Sequence, residues 1–222
     1  MLGAGKCGKS EFWAQGKKTI FIETEPGLNH LQVESFPCRN WSEIREAVGK
    51  LTKFKDDPKF PFDTVVVDTM DRAVDRATQS LVEKGREKYP KSEISSIGDI
   101  PNGTGWYWQT TLVKDFLGAL ESLPCATVLI SHLKQQEVDE ITRKYNRWSI
   151  SIGGQTGTGI LHFVDHTLMI QSQQVGDKIQ RTVRTKPTAV YEAGSRGNVI
   201  PDGVKWGDNP SENYQAFRKL FE

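Results

Sequence analysis

Short unbroken apolar runs alternate with longer stretches in which apolar residues recur every three or four positions. Thr19–Glu23 (TIFIE), Thr64–Asp68 (TVVVD) and Ala126–Ser131 (ATVLIS) are rich in β-branched residues. They predict strands covered on both faces. Between them, Trp41–Thr52, Met70–Lys88 and Trp106–Ser122 carry the helical period, clearest where Leu112, Val113, Phe116, Leu117 and Leu120 fall on one face. Strands separated by helices predict the α/β class, with a mostly parallel central sheet flanked by helices.

After Ser131 the period shortens to two. Alternation around Val138–Ile152, Thr167–Gln171, Gln180–Lys186 and Thr188–Glu192 predicts antiparallel hairpins at one edge of the sheet. Asn209-Pro210-Ser211 offers a cap for a short last helix through Phe221. No linker-like stretch or internal repeat divides the chain, so a single domain over residues 1–222 is expected, with a core over 1–201 and a tail over 202–222.

Charge narrows the possibilities. Twenty-nine basic and 28 acidic side chains in 222 residues leave a net charge of +1, so no bulk field draws nucleic acid or membrane, and any anion site must be local. No apolar run approaches the roughly 18 residues of a membrane span, and no charged-then-apolar leader follows Met1, which predicts a cytoplasmic protein with no membrane partner. Cys7, Cys38 and Cys125 lack metal-type spacing and are expected as free thiols.

One local anion site is legible. Gly3-Ala4-Gly5-Lys6-Cys7-Gly8-Lys9-Ser10 fits G-x-x-x-x-G-K-[ST]. Glycines let successive amides curl around phosphate oxygens, Lys9 reaches the β/γ-phosphates and Ser10 offers a hydroxyl to Mg²⁺. A flexible glycine-rich terminus is the plainer alternative. Only Met1 and Leu2 precede Gly3, so the strand from which such a loop hangs is expected to be missing, through truncation or a misplaced start. A second anchor is Asp68, the acid that ends an apolar strand and opens a helix. It can orient the water shell of Mg²⁺ or cap that helix, and the two roles are compatible.

With these anchors in place the chain resembles the RecA superfamily of P-loop ATPases, in particular the phage-encoded AAA/RecA-like proteins that include ATP-dependent single-strand annealing proteins. The resemblance runs from Gly3 to about Pro201. Phe21-Ile22-Glu23-Thr24-Glu25-Pro26-Gly27 is similar to the family strand that ends in a catalytic glutamate, with Glu23 where aspartate is commoner. The resemblance implies that Glu25 activates the attacking water, assisted by Lys9; a solvated loop acid is the alternative. Leu129-Ile130-Ser131-His132-Leu133-Lys134 resembles the strand carrying the γ-phosphate sensor, which gives His132 that role unless it is simply a hydrogen-bonded structural residue. Gly153-Gly154-Gln155-Thr156-Gly157-Thr158-Gly159 and Phe163–Leu168 are similar to the family's following turn, helix and strand.

The intervening segment falls where RecA-like proteins carry a DNA-contacting loop. Its Arg143, Lys144, Tyr145, Arg147 and Trp148 are candidates for DNA binding, or else line an exposed ribbon. Arg86–Trp108 offers a second surface, with Trp106 and Trp108 also able to enter the core. Arg184 and Lys186 resemble cations presented in trans to a neighbouring subunit's γ-phosphate, or form a basic edge that deters aggregation. A metal site at His162, Asp165 and His166 lacks a supporting ligand set.

The resemblance implies ATP and Mg²⁺ as cofactors, single-stranded DNA as partner, a homo-oligomeric ring or filament, and a single-strand-binding protein as a further candidate partner. The expected function is ATP hydrolysis in recombination, annealing or repair, in a bacterial host or encoded by a phage. A helicase-like or KaiC-like ring ATPase and a non-catalytic nucleotide-dependent binding module stand as alternatives.

Overall fold

The computed structural model describes residues 1–140 and 143–220, and every side chain within them except those of Glu140, Arg143, Lys178 and Asn198. Its centre is the predicted set of apolar strands: β2 (Thr19–Glu23), β4 (Thr64–Asp68) and the first part of β5 (Ala126–Glu140), all parallel. The β-branched runs suit this position because each strand must present apolar groups to both faces. Ile20, Ile22, Val65 and Val67 enter one core, while Phe21 and Val66 enter the core on the opposite face.

The strand expected to be missing is represented. Residues Leu2–Gly3 form β1, which lies between β5 and β8 (Met169–Val175) and runs parallel to both. Leu2 stands opposite Ser131 and Met169, and Gly3 opposite His132 and Ile170. Two residues hold this register because both neighbours supply partners; a pattern search requiring four to eight apolar residues passes over so short a strand. A polar, half-exposed strand, β3 (Glu34–Pro37), extends the parallel sheet beyond β2 and was not expected.

Two antiparallel hairpins are present, one at the edge and one not. β8 pairs with β9 (Lys178–Arg184), and β9 with β11 (Val204–Trp206), at the outer edge. The other grows from the middle: β5 runs on past the sheet and pairs with β6 (Arg143–Ile150) as a long ribbon. Thr188–Glu192 does not form the full expected strand: it bends where the Thr188 hydroxyl accepts from the amides of Val190 and Tyr191, and meets β6 only through a single bridge between Tyr191 and Trp148. A small separate pair joins β7 (His166–Thr167) to β10 (Gly194–Ser195).

Helices α2 (Trp41–Thr52), α3 (Met70–Lys88), α4 (Thr104–Glu121) and α5 (Gly154–Phe163) supply the core on one face through Trp41, Ile44, Met70, Phe116, Leu120 and Ile160. On the other face lie α1 (Lys9–Trp13) and α6 (Pro210–Arg218). The α6 start is the predicted cap, with the Asn209 side chain accepting from the amides of Ser211 and Glu212. Residues 202–220 do more than follow the core. Trp206 stacks on Phe12 at 4.4 Å between ring centroids, and Tyr214 and Phe217 meet Phe12 edge-on.

Candidate nucleotide site

β1 ends at Gly3, and the chain then curls through the loop into α1. Gly8 has φ 89°, a left-handed conformation that glycine adopts without steric cost. Gly3 is needed for space, since a Cβ there would lie 2.6 Å from Cys7 Sγ. Lys9 is buried, and its ammonium donates to the carbonyls of Gly3 at 3.0 Å and Ala4 at 2.7 Å, so the charge is held inside the loop's own curve.

The strand order brings acids to this loop. Ser10, on the first turn of α1, donates its hydroxyl to Asp68 Oδ2 at 2.5 Å across 58 positions of sequence. The ends of β2 and β4 are clamped together: the Thr24 hydroxyl donates to the Thr69 carbonyl at 2.7 Å and accepts from its amide at 2.8 Å. The Arg76 guanidinium also donates to the Thr24 carbonyl. This clamp fixes the point at which Glu25 leaves β2.

Asp68 sits above the ordinary carboxylate range. Burial is the main cause and the like charge of Glu25 adds to it, against the opposing effects of the Ser10 hydrogen bond, Lys9 and His132. With the Ser10 hydroxyl this buried carboxylate forms a hard-oxygen donor pair beside the phosphate loop. The residues present therefore fit Mg²⁺. Among the described residues no group of three or more His, Cys, Asp or Glu side chains forms a metal cluster, including at His162, Asp165 and His166. His166 Nδ1 instead meets Ser195 Oγ at 3.0 Å, and Asp165 pairs with Arg196 at 2.7 Å.

Glu25 lies between two basic groups, with Oε2 3.2 Å from Arg72 Nε and Oε1 4.0 Å from His132 Nε2. The other imidazole nitrogen, His132 Nδ1, lies 2.8 Å from Asp71 Oδ2. Asp71 Oδ1 accepts from the Ser131 hydroxyl at 3.1 Å and the His132 amide at 3.3 Å. Burial alone would raise Asp71, but the hydrogen bond and charge of His132, with backbone amides, outweigh it and hold the carboxyl below its usual range. Asp71 and Arg72 were not among the residues singled out from the sequence. No local pattern marks them: Asp68 ends β4 and Asp71 stands on the first turn of α3, and only the pairing of β4 with β5 brings both to the end of the sheet that carries His132.

The remaining candidates lie elsewhere. Arg184 ends β9 and is engaged by Asp202 at 3.5 Å and Gln171 at 3.3 Å, and Lys186 lies beyond the strand end, so the two do not alternate along one strand as expected. On the ribbon, Lys144 pairs with Asp139 at 2.8 Å and Arg147 with Glu192 at 3.8 Å. Tyr145 and the half-exposed Trp148 lie on the same strand, β6. The Arg143 side chain lies outside the described residues. No helix among the described residues is long and apolar enough to cross a membrane.

Comparison with known proteins adds three findings. The chain is 24% identical over 146 residues to an uncharacterized protein derived from the SPbeta prophage of Bacillus subtilis, YorG; the match covers 65% of this chain and 43% of that protein. The chain thus spans less than half of that relative's length. A KaiC-like protein of the archaeon Pyrococcus horikoshii superposes with a TM-score of 0.49 at 11% identity, over 95% of this chain and 84% of the other. The family model described as an AAA domain matches residues 1–197. With that match running through the phosphate loop and both strand-end acids, the chain belongs to the AAA domain family and is a P-loop NTPase.

Proposed function

We propose that this protein is a Mg²⁺-dependent ATPase that works on single-stranded DNA in recombination, annealing or repair, as a homo-oligomer. The observation that carries the catalytic part is the convergence on one loop mouth of Ser10 and Asp68, 2.5 Å apart, with Lys9 in the loop and Glu25 and His132 at the neighbouring strand ends. Ser10 and Asp68 would hold the metal, which when bound neutralises charge developing on the β- and γ-phosphate oxygens. The loop amides and Lys9 bind and orient the triphosphate. Glu25 accepts a proton from water as the water oxygen bonds to the γ-phosphorus and the bond to the ADP oxygen breaks. His132 donates to a γ-phosphate oxygen, held in orientation by Asp71.

DNA as partner is supported by the family resemblance and by the prophage origin of the relative. The Arg184 and Lys186 cations are assigned to a neighbouring subunit's site on the same resemblance.

Phosphate release from ATP should require Mg²⁺, rise with single-stranded DNA, and fall by at least about a hundredfold in Lys9→Ala and Glu25→Gln, the size of effect expected on removing one charge-stabilising or proton-accepting group. In Glu25→Gln nucleotide binding should persist, because that side chain acts on water. Full turnover in Glu25→Gln would remove its assigned role, and turnover indifferent to DNA would remove the DNA part.

A further inference from the structure

Two adjacent side chains on the first turn of α3 reach back to the candidate site. Asp71 Oδ2 lies 2.8 Å from His132 Nδ1, and Arg72 Nε lies 3.2 Å from Glu25 Oε2. The same guanidinium donates through Nη1 to Asp75 Oδ2 at 3.3 Å, about one turn further along the helix, so Arg72 is braced from its own element. The main chain is fixed at both ends of the Glu25–Arg72 contact. The Thr24–Thr69 clamp sets the point at which Glu25 leaves β2, and Met70, which opens α3, is fully buried.

Arg72 stands where a helix does not favour it. The positive end of the helix dipole falls on the first turn, and a cation there is disfavoured. Nor does the contact staple the fold, because the Arg72 and Asp75 side chains are more than half exposed, and ion pairs of that kind contribute little to stability. What it does is orient. With Oε2 engaged by Arg72, the other oxygen, Oε1, faces His132 Nε2 across 4.0 Å, beyond hydrogen-bond length and short enough for one water to bridge. The hydrogen bond and charge of Glu25 push the Arg72 guanidinium further above its usual range, so it stays a cation and exchanges no proton in the reaction.

We propose that Arg72 is the positioning residue of the water-activating acid: it holds Glu25 Oε2 so that Oε1 is the oxygen turned toward the water and His132. The first turn of α3 then orients both groups that act at the γ-phosphate, Asp71 through His132 and Arg72 through Glu25. The proton leaves water for Oε1 as the water oxygen bonds to the γ-phosphorus and the bond to the ADP oxygen breaks. Arg72 touches none of these atoms. Arg72 and Glu25 also line an open cleft of about 700 Å³, with Pro26, Asp75 and Arg76, so a guanidinium group can reach Glu25 from solvent. This assignment rests on the ATPase reading given above.

The test measures phosphate release from Mg²⁺-ATP, and ADP affinity by titration calorimetry, on the full chain. Arg72→Ala should lower kcat about ten- to a hundredfold, the loss that follows when a reacting group is left unoriented. KM and ADP affinity should stay within about twofold of the parent, because Arg72 does not bind nucleotide. Arg72→Lys keeps the charge without the planar fork and should fall between the parent and Arg72→Ala. Ethylguanidinium at millimolar concentration should enter the cleft and restore part of the rate to Arg72→Ala, and add nothing to the parent. In a Glu25→Gln background, followed by single turnover, adding Arg72→Ala should change the rate by less than about twofold, since the group it orients is already gone. An equal loss in both backgrounds, or a raised KM with kcat unchanged, overturns the assignment. So does a faster Arg72→Ala, which would show the pair holding Glu25 idle. A parent with no phosphate release sinks the ATPase reading and this assignment with it, whereas a parent that turns over ATP no faster than Arg72→Ala sinks this assignment alone. A thermal melt checks that each variant is folded, and Arg72→Gln replaces Arg72→Ala if that one is not.

Discussion

At the scale of single residues, the site depends on a few positions whose neighbours leave little freedom. Gly8 is one, because its φ of 89° costs an L-residue about 1–2 kcal/mol. A Cβ there would also lie 3.2 Å from Glu11 Oε2. Gly8→Ala should therefore weaken ADP binding by roughly tenfold or more in titration calorimetry, with only a small change in melting temperature. Asp71 is another. Its carboxyl is held below the usual range in the folded chain, so its contribution to stability is present above the ordinary carboxylate pKa of about 3.9 and is lost as pH falls through the folded value. Asp68 is shifted upward and acts in the opposite sense, since protonating it on acidification relieves a buried charge. Denaturant midpoints measured from pH 6 down to pH 3 should fall less steeply in Asp71→Asn than in the parent. An unchanged slope would mean that His132 finds an equivalent partner elsewhere.

Among the elements, legibility tracks how far burial alone decides the structure. α2 and α3 occupy the spans that the apolar period predicts, Trp41–Thr52 and Met70–Lys88, because one face of each meets the sheet and Asn40 closes the start of α2 by accepting from the Glu43 amide. Asn40→Ala should cost about 1 kcal/mol in chemical denaturation. α4 begins at Thr104, two residues ahead of the expected start, because Gly105 lets the helix pass against the Ile97 carbonyl; a Cβ on Gly105 would stand 2.3 Å from that oxygen. Gly105→Ala must push α4 away, and the disturbance should reach the Trp106–Tyr107 surface before it reaches the nucleotide loop. Protection of α4 amides from hydrogen exchange is the measurement that reads this. What the sequence concealed was long-range pairing. Nothing local in Glu34–Pro37 marks it as a strand, since its hydrogen bonds are supplied by β2, and nothing local in Leu2–Gly3 shows that two neighbours complete it.

Across the whole molecule, the loop, Asp68 and Glu25 were readable because glycine spacing and strand-end acids are local signatures, whereas Asp71 and Arg72 became visible only once β5 carried His132 to the end of β4. The cleft beside them was equally hidden, since its walls come from α3 and the residues that follow β2. The same holds for the last residues, which carry no chemistry of their own yet brace the loop from behind. Phe12, two positions after Ser10, is fully buried and sandwiched among Trp206, Tyr214 and Phe217. Through α1, the position of Ser10 relative to Asp68 thus depends on β11 and α6. Trp206→Ala removes the stacked partner of Phe12 and should destabilise the fold by about 3–5 kcal/mol, the range for deleting a large buried aromatic. It should also weaken Mg²⁺-nucleotide binding under conditions where the variant is still folded, because α1 is then free to shift. Trp206→Phe, which keeps an aromatic face against Phe12, should restore most of both. A variant that loses stability but binds nucleotide as the parent does would show that β1 and the loop hold Ser10 in place without this support.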